Sequence, residues 1–394
     1  MVKRYDSALN TTFSTKDELM KDTVFQRLLK PVTKKLMKEC IERFRSDHRY
    51  ESFNTFEHLK TMIYAHINEI KSLRTLEVAI NSQKIGIKTQ VKRSTLSDAN
   101  RKRPAESFFW ILEQLMSLLP RKKHKEIKKV IRILDSSPIQ LRGQGYDEWS
   151  KQYATRHIQG LKLHVEYDLG LDLPLRMKLS HPNCNDATMG QKWPILKNTL
   201  YVFDKGYYDY NWWWSINKRQ AYFVTRLKKN AAIVIESRQK NTREPILQDC
   251  LFRISNKVPR GGKRMEYSET LRYISVKREG KTPLILVTNL KDLPAENIAK
   301  LYKARWEIEL FFKWIKQNLR LKKFLGRSSN AVKIQIATAL IAFILIQIFK
   351  NVSNEKRSLH LVLVWIRHNL HVAEYRNRQY KPPIYLISRR PVYL

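Results

Sequence analysis

Two aspartates in this chain each follow a short apolar run rich in β-branched residues. Asp135 closes Val130-Ile131-Arg132-Ile133-Leu134 and precedes Ser136-Ser137. Asp204 closes a strand pattern from Asn198 to Phe203 and precedes Lys205-Gly206-Tyr207. A carboxylate at a strand end stands on a rigid element beside a loop, where a ligand can approach. Aspartate also ends strands simply because it favours turns, and either residue alone fits that plainer reading. A third carboxylate alters the weighing. A helix expected from Ala295 to about Leu319 carries Tyr302, Arg305, Glu309 and Lys316, which at about 100° per residue share an arc of about 60°. Leu301, Ile308, Phe311, Phe312 and Ile315 gather on another face, so one side can be buried while a polar stripe meets a cleft. Glu307 lies about 140° from Tyr302, off the stripe, which makes Glu309 the candidate. A surface ion pair between Arg305 and Glu309 accounts for those two residues but not for the tyrosine or the lysine. Three carboxylates on a basic chain fit metal-assisted phosphoryl transfer. Two Mg²⁺ ions about 3.5–4 Å apart would share carboxylate ligands, and Arg305, Lys316 and Tyr302 would grip a phosphate beside the reacting bond.

The composition names the partner. Lys and Arg total 75 of 394 residues against 36 Asp and Glu, a net charge of +39. Such an excess fits a polyanion, because each neutralised phosphate releases a condensed counterion. Nucleic acid leads; a membrane surface and the ribosome are the competing polyanions. Hydrophobic residues make up 43% of the chain, enough for a real core. Cys40, Cys184 and Cys250 are far apart and form no CxxC pair, so neither a zinc knuckle nor a disulfide framework is indicated. The first ten residues hold no apolar signal-peptide core. The longest apolar run, between Lys333 and Lys350, is shorter than the roughly 20 residues that span a bilayer and reads as a buried core helix.

Around these residues the chain divides by texture. Residues 1–125 read as a helical N-terminal domain, with Val24, Leu28, Leu29 and Val32, then Phe56, Leu59, Met62, Ile63 and Ile67, at helical spacing and Pro31 interrupting the first helix. Leu73 to Asn81, a connection through Gly86, and Arg93 to Arg103 resemble a helix-turn-helix. Ser94 is its N-cap candidate, Pro104 its stop, and Arg93, Arg101, Lys102 and Arg103 its candidate DNA contacts. A solvated basic helix in an ordinary bundle fits equally. Residues 126–220 alternate strands and connections: Leu161 to Tyr167 and Pro174 to Leu179 pair across the turn Leu169-Gly170-Leu171-Asp172, in an α/β arrangement. Residues 221–290 read as a β-rich insertion with a basic turn from Pro259 to Arg264. Residues 291–350 hold the Glu-bearing helix, and 351–394 are a basic, Pro-rich segment with a poorly ordered end expected past Arg376. Other polar residues have plain readings. His164 fits a satisfied structural histidine as well as a site residue. Asp168 and Asp172 flank a turn. Asp186 is a competing acid, Asp209 a weaker alternative ligand, and Lys205 fits a DNA contact or an ion pair. Trp212, Trp213 and Trp214 read as core aromatics or as stacking surfaces.

Tyr302-x₂-Arg305-x₃-Glu309-x₆-Lys316 resembles the Y-R-E-K signature of bacterial DDE transposases of the insertion-sequence-four family, and the segments ILDSS and FDKGYYDY resemble that family's two Asp motifs. The likeness covers roughly residues 20 to 350. It implies an α/β fold with a ribonuclease-H-like catalytic core, a β-rich insertion and a helical DNA-binding domain in front. It implies cut-and-paste transposition, with Asp135, Asp204 and Glu309 as catalytic metal ligands and Tyr302, Arg305 and Lys316 on phosphate near the transposon end. The cofactor implied is Mg²⁺, two ions, with Mn²⁺ able to substitute. The partners implied are double-stranded DNA, as transposon ends and target, and a second copy of the chain on that DNA, in a bacterial cytoplasm at the nucleoid and away from membranes. Hairpin-forming members stack a flipped base on an aromatic residue, in some a tryptophan of the insertion. This insertion has no Trp between Trp214 and Trp306, which leaves the hairpin route open. A catalytically silent DNA-binding derivative and a metal nuclease of the same fold are the alternatives.

Overall fold

The computed structural model describes residues 22–48, 52–82, 90–118, 130–154, 158–239, 243–255, 267–319, 321 and 323–372. The connection through Gly86, the basic turn from Pro259 to Arg264 and the end past Arg376 lie outside the described residues. Two compact units emerge. A helical unit comprises the described residues of 1–119, 141–149 and 314–394, and a sheet unit those of 120–140 and 150–313.

The helical unit begins with α1 (Val24–Leu29), α2 (Lys34–Phe44), α3 (Thr55–Ile67), α4 (Leu73–Ser82), α5 (Arg93–Lys102) and α6 (Ala105–Met116). Side-chain caps set the first three starts: Thr23, Thr33 and Asn54 accept the backbone N–H of Gln26, Leu36 and Glu57. Pro31 falls in the break between α1 and α2, as the sequence predicts. The expected Ser94 cap is corrected. Lys92 holds the cap position of α5 without a side-chain bond. Side chains of α4 do the work instead: Asn81 both donates to and accepts from the Val91 backbone at 3.0 Å, and Glu77 accepts the Arg93 N–H at 3.0 Å. Pro104 does stop α5, because it holds the preceding Arg103 extended (φ −68°, ψ 134°).

The sheet unit carries β1 (Val130–Gln140), β2 (Lys151–Gln152), β3 (Gln159–Asp168), β4 (Leu173–Ser180), α7 (Asp186–Gly190), β5 (Thr199–Phe203), α8 (Tyr210–Lys218), β6 (Tyr222–Arg226), β7 (Ile233–Arg238), β8 (Ile246–Ile254), β9 (Leu271–Arg278) and β10 (Lys281–Thr288). All ten strands form one mixed sheet in the order β2-β3-β1-β5-β6-β10-β9-β8-β7, with β4 also on β3. The centre is β1, β5 and β6, all parallel, flanked on one side by the antiparallel meander β1-β3-β4. The strands read as an insertion do not leave this sheet. β6 pairs with β5, and β10 pairs with β6, so the antiparallel block extends the central layer edgewise. Trp212 and Trp213 on α8 are buried with Phe203 and Phe223 in the core beneath it, which settles their plainer reading.

Two helices follow where the sequence predicts one: α9 (Ala295–Lys303) and α10 (Trp306–Asn318). Ala304 and Arg305 form the break. There the Arg305 and Glu307 N–H groups bond to the carbonyls three residues back, Tyr302 and Ala304, tightening the turn. The uniform 100° step therefore does not carry from Tyr302 to Glu309. From Trp314 onward α10 belongs to the helical unit, which closes with α11 (Ser329–Val352) and α12 (Leu359–Asn369). α11 is longer than the apolar run suggests, and by length and composition it could cross a membrane. Yet 89% of its most apolar stretch is buried inside the protein. It packs against α3, α5 and α6, as a helix apolar on all sides must.

Candidate active site

The sheet geometry brings the two aspartates together. β1 and β5 pair in parallel register from Val130–Thr199 to Leu134–Phe203. Asp135 and Asp204 are the next residue on each strand, so they leave neighbouring parallel strands at one level, at the carboxyl edge where α/β sheets bind ligands. Asp135 does not end its strand. β1 runs on to Gln140 against β3 alone, with Asp135 opposite Val165. Asp204 does end β5, and its carboxylate accepts the Gly206 N–H at 2.7 Å, capping a single 3₁₀ turn.

Glu309 and Arg305 complete the group within the sheet unit. The Arg305 guanidinium lies 2.5 Å from the Glu309 carboxylate and 3.4 Å from Oδ2 of Asp135. The predicted pair along the helix thus exists, and it reaches a strand residue as well. The Arg305 guanidinium also lies 5.8 Å from the ring centroid of Tyr302, which is buried. Burial raises the Tyr302 hydroxyl above its ordinary range. Lys316, on the part of α10 in the helical unit, is lowered by burial. Burial also pushes Asp135 up to about 7, with the charges of Asp204 and Glu309 adding to the rise and the Ser136 amide and Arg305 opposing it. Among the described residues, no three His, Cys, Asp or Glu side chains are grouped closely enough to hold a metal ion. What joins Asp135 and Glu309 here is a guanidinium, a cation standing where carboxylate oxygens suit a hard divalent ion.

Several flanking residues gain partners that the sequence did not assign. Ser136 donates its N–H to Asp135 Oδ1 (2.8 Å) and its hydroxyl to Asp186 Oδ1 (2.7 Å). Lys162 reaches the same Asp186 oxygen at 3.3 Å. His164 is buried and bonds Ser180 at 2.8 Å, and burial lowers its pKa to about 4, which fits the structural reading. The available signal was the alternation along β3. Lys162 and His164 are two apart and so share a face, and they pair opposite Pro138 and Ser136.

The candidate DNA contacts of α5 separate. Arg93, Arg101 and Lys102 are exposed, the last two beside Asp98 at 2.9 and 3.6 Å. Arg103 is corrected. Its side chain is fully buried and donates to the carbonyls of Ser46 (3.1 Å) and Phe53 (2.7 Å). Its position explains this, since Leu96, Ala99, Asn100 and Arg103 form the inward stripe at helical spacing. Arg103→Ala should therefore cost about 3–5 kcal/mol of stability in denaturant unfolding, while Arg101→Ala and Lys102→Ala should stay within about 0.5 kcal/mol.

The central parallel strands thus carry two aspartates at matching positions, and a helix brings a glutamate to the guanidinium that also reaches one of them. The family model described as Transposase DDE domain matches residues 126–345, and the chain belongs to that family. It is a DNA transposase of the insertion-sequence-four type, an enzyme that cleaves and joins DNA. A second model, the domain of unknown function DUF4372, matches residues 20–86. The y4zB protein of Sinorhizobium fredii is 38% identical over 258 residues, covering 64% of this chain and 70% of that one. Transposase InsG of insertion sequence element IS4 from Escherichia coli is 28% identical over 159 residues, 38% of this chain and 34% of that one. Among solved structures, the piggyBac transposase in a synaptic complex with hairpin DNA aligns with a TM-score of 0.48 at 12% identity, over 98% of this chain and 84% of that one. Membership implies a ribonuclease-H-like core, action on DNA and dependence on a divalent metal, generally Mg²⁺.

Proposed function

We propose that Asp135, Asp204 and Glu309 are the catalytic carboxylates of a cut-and-paste transposition reaction and hold two Mg²⁺ ions, for which Mn²⁺ substitutes. The observation that carries this reading is Arg305, whose guanidinium reaches both Asp135 and Glu309. The donor set is all hard carboxylate oxygen, and burial holds Asp135 protonated up to about pH 7 even with the Arg305 guanidinium beside it. When bound, the ions supply Lewis-acid activation of water or a 3′-hydroxyl and neutralise the leaving oxygen. The chain's own residues do the rest. Arg305 exchanges its carboxylate partners for a DNA phosphate, and Tyr302 holds the guanidinium from its ring face. Lys316 is the further phosphate contact proposed from the signature.

Around this centre the substrate is double-stranded DNA, first as transposon ends and then as target, bound by a homodimer. The helical unit supplies sequence-independent contacts through Arg93, Arg101 and Lys102. The site of action is the bacterial cytoplasm, at the nucleoid. Trp306, next to Arg305, is 56% exposed. An exposed aromatic ring beside the site is the surface an unstacked base requires, which supports a hairpin route without a tryptophan in the antiparallel block.

Supercoiled donor DNA incubated with purified protein and Mg²⁺ tests the reaction. Excised element and joined product are expected, with both lost on chelation. Nicks without joining would mark a nuclease instead, and binding without cleavage would mark a silent derivative.

A further inference from the structure

We propose that Asp186 is a positioning residue for the reaction, acting through Ser136 on the catalytic carboxylate Asp135. The inference rests on the assignment of Asp135 above. The weak point of the site is the stretch of β1 beyond Leu134. Up to that residue β1 is held on both edges, by β3 and by β5; past it, β5 has ended and only β3 remains. Asp135 is the first residue on this half-supported stretch, and its orientation depends on what replaces the missing strand.

Asp186 replaces it. One of its oxygens, Oδ1, accepts the Ser136 hydroxyl at 2.7 Å. The Ser136 amide in turn donates to Oδ1 of Asp135 at 2.8 Å. With that oxygen committed, Asp135 presents Oδ2, the atom nearest Arg305 at 3.4 Å. Asp186 is itself anchored. Lys162 donates to the Cys184 carbonyl at 2.7 Å and reaches Asp186 Oδ1 at 3.3 Å, tying the segment before α7 to β3 and offsetting the added charge.

The second oxygen of Asp186 faces the space beside the other aspartate. A Cβ placed on Gly206 would lie 2.9 Å from Oδ1 of Asp204 and 3.2 Å from Oδ2 of Asp186. Both carboxylates thus border the space that this glycine leaves open. The buried hydroxyl of Tyr207 has no hydrogen-bond partner among the described residues, and the charges of Asp186, Asp135 and Asp204 all act on it. Asp186 therefore borders the same space as Asp204, while its hydrogen-bonded route leads through Ser136 to Asp135.

The test compares Ser136→Ala, Asp186→Ala and Asp186→Asn with Asp135→Ala as the reference. Three quantities are measured: DNA cleavage rate, DNA affinity, and the Mg²⁺ dependence of the melting temperature in the absence of DNA. Ser136→Ala and Asp186→Ala should slow cleavage about 10- to 100-fold and shift the Mg²⁺-induced rise in melting temperature to higher concentration by a similar factor. DNA affinity should stay within about twofold. Asp186→Asn keeps an oxygen acceptor for the Ser136 hydroxyl and should recover most of the rate. Wild-type rate and Mg²⁺ response in Ser136→Ala and Asp186→Ala, with Asp135→Ala inactive, would overturn this inference while leaving the catalytic assignment intact. Cleavage by Asp135→Ala would overturn the assignment itself. An Asp186→Asn variant as slow as Asp186→Ala would show that the charge acts directly, which also overturns the route through Ser136.

Discussion

Alanine at Asp135, Asp204 or Glu309, introduced one at a time, should abolish DNA cleavage and strand joining while leaving DNA binding intact. The size follows from what each carboxylate supplies. Metal-assisted stabilisation of a phosphoryl-transfer transition state is worth several kcal/mol, and each 1.36 kcal/mol is about tenfold in rate, so a loss on the order of 10³-fold or more is expected. Binding should survive because the affinity comes from basic side chains spread over a chain of net charge +39. Removing one acid leaves that attraction in place. None of the three substitutions opens a large hole. Glu309 is a third exposed at its side chain, and Asp135 is partly exposed, 17% at its side chain. Cleavage gels and filter binding on the same preparations check both halves of the expectation. If a single variant cleaves at the wild-type rate, that residue holds no metal.

Why the aspartates were legible and their surroundings were not is a matter of range. Asp135 and Asp204 stand after β-branched runs, and a strand reports itself through its own residues. Glu309 was found through spacing along one helix, which is also local. The break at Ala304 and Arg305 was not legible. No proline or glycine marks it, and Arg305 there makes contacts to Glu309 and Asp135 that lie partly on another element. Asp186 had no local signal, because its partner Ser136 is 50 residues away in sequence. Within the β-rich block, β8 gives a weak signal of its own, because its exposed positions, such as Leu247 and Gln248, do not alternate cleanly in polarity. Arg103 was misread for the opposite reason. Its basic neighbours suggested a DNA face, yet the apolar stripe from Leu96 already pointed it inward. Side-chain type outweighed periodicity in that reading, where periodicity carried the stronger constraint.

Relative to Asp135→Asn, the metal-free protein should lose stability as pH rises toward 7, and divalent cations should restore it above that range. The cause is Asp135. Its carboxyl is pushed from the ordinary 3.8 up to about 7 in the folded chain, first by burial and then by the neighbouring charges of Asp204 and Glu309. Between those two values the folded state binds the extra proton at this group, so its contribution falls with rising pH across the window, while the buried His58, His66 and His164, lowered by burial, contribute an opposing rise. The raised acid thus contributes fully below about pH 4 and nothing above about pH 7. At its full extent the effect is on the order of 4 kcal/mol. Asp135→Asn removes the titrating group while keeping its shape. The variant should lose this contribution, keep that of the histidines, and exceed the wild type in stability above pH 7 by up to that amount. Mg²⁺ competes with the proton for the same oxygens. It should therefore raise the wild-type melting temperature more at pH 8 than at pH 5, and should scarcely move Asp135→Asn at either. Thermal melts across pH 4–9, with and without Mg²⁺, measure all of this. A difference between wild type and Asp135→Asn that stays flat through pH 4–7 would mean that Asp135 ionises freely in the folded chain. Its burial would then be no part of the device that readies the site for a cation.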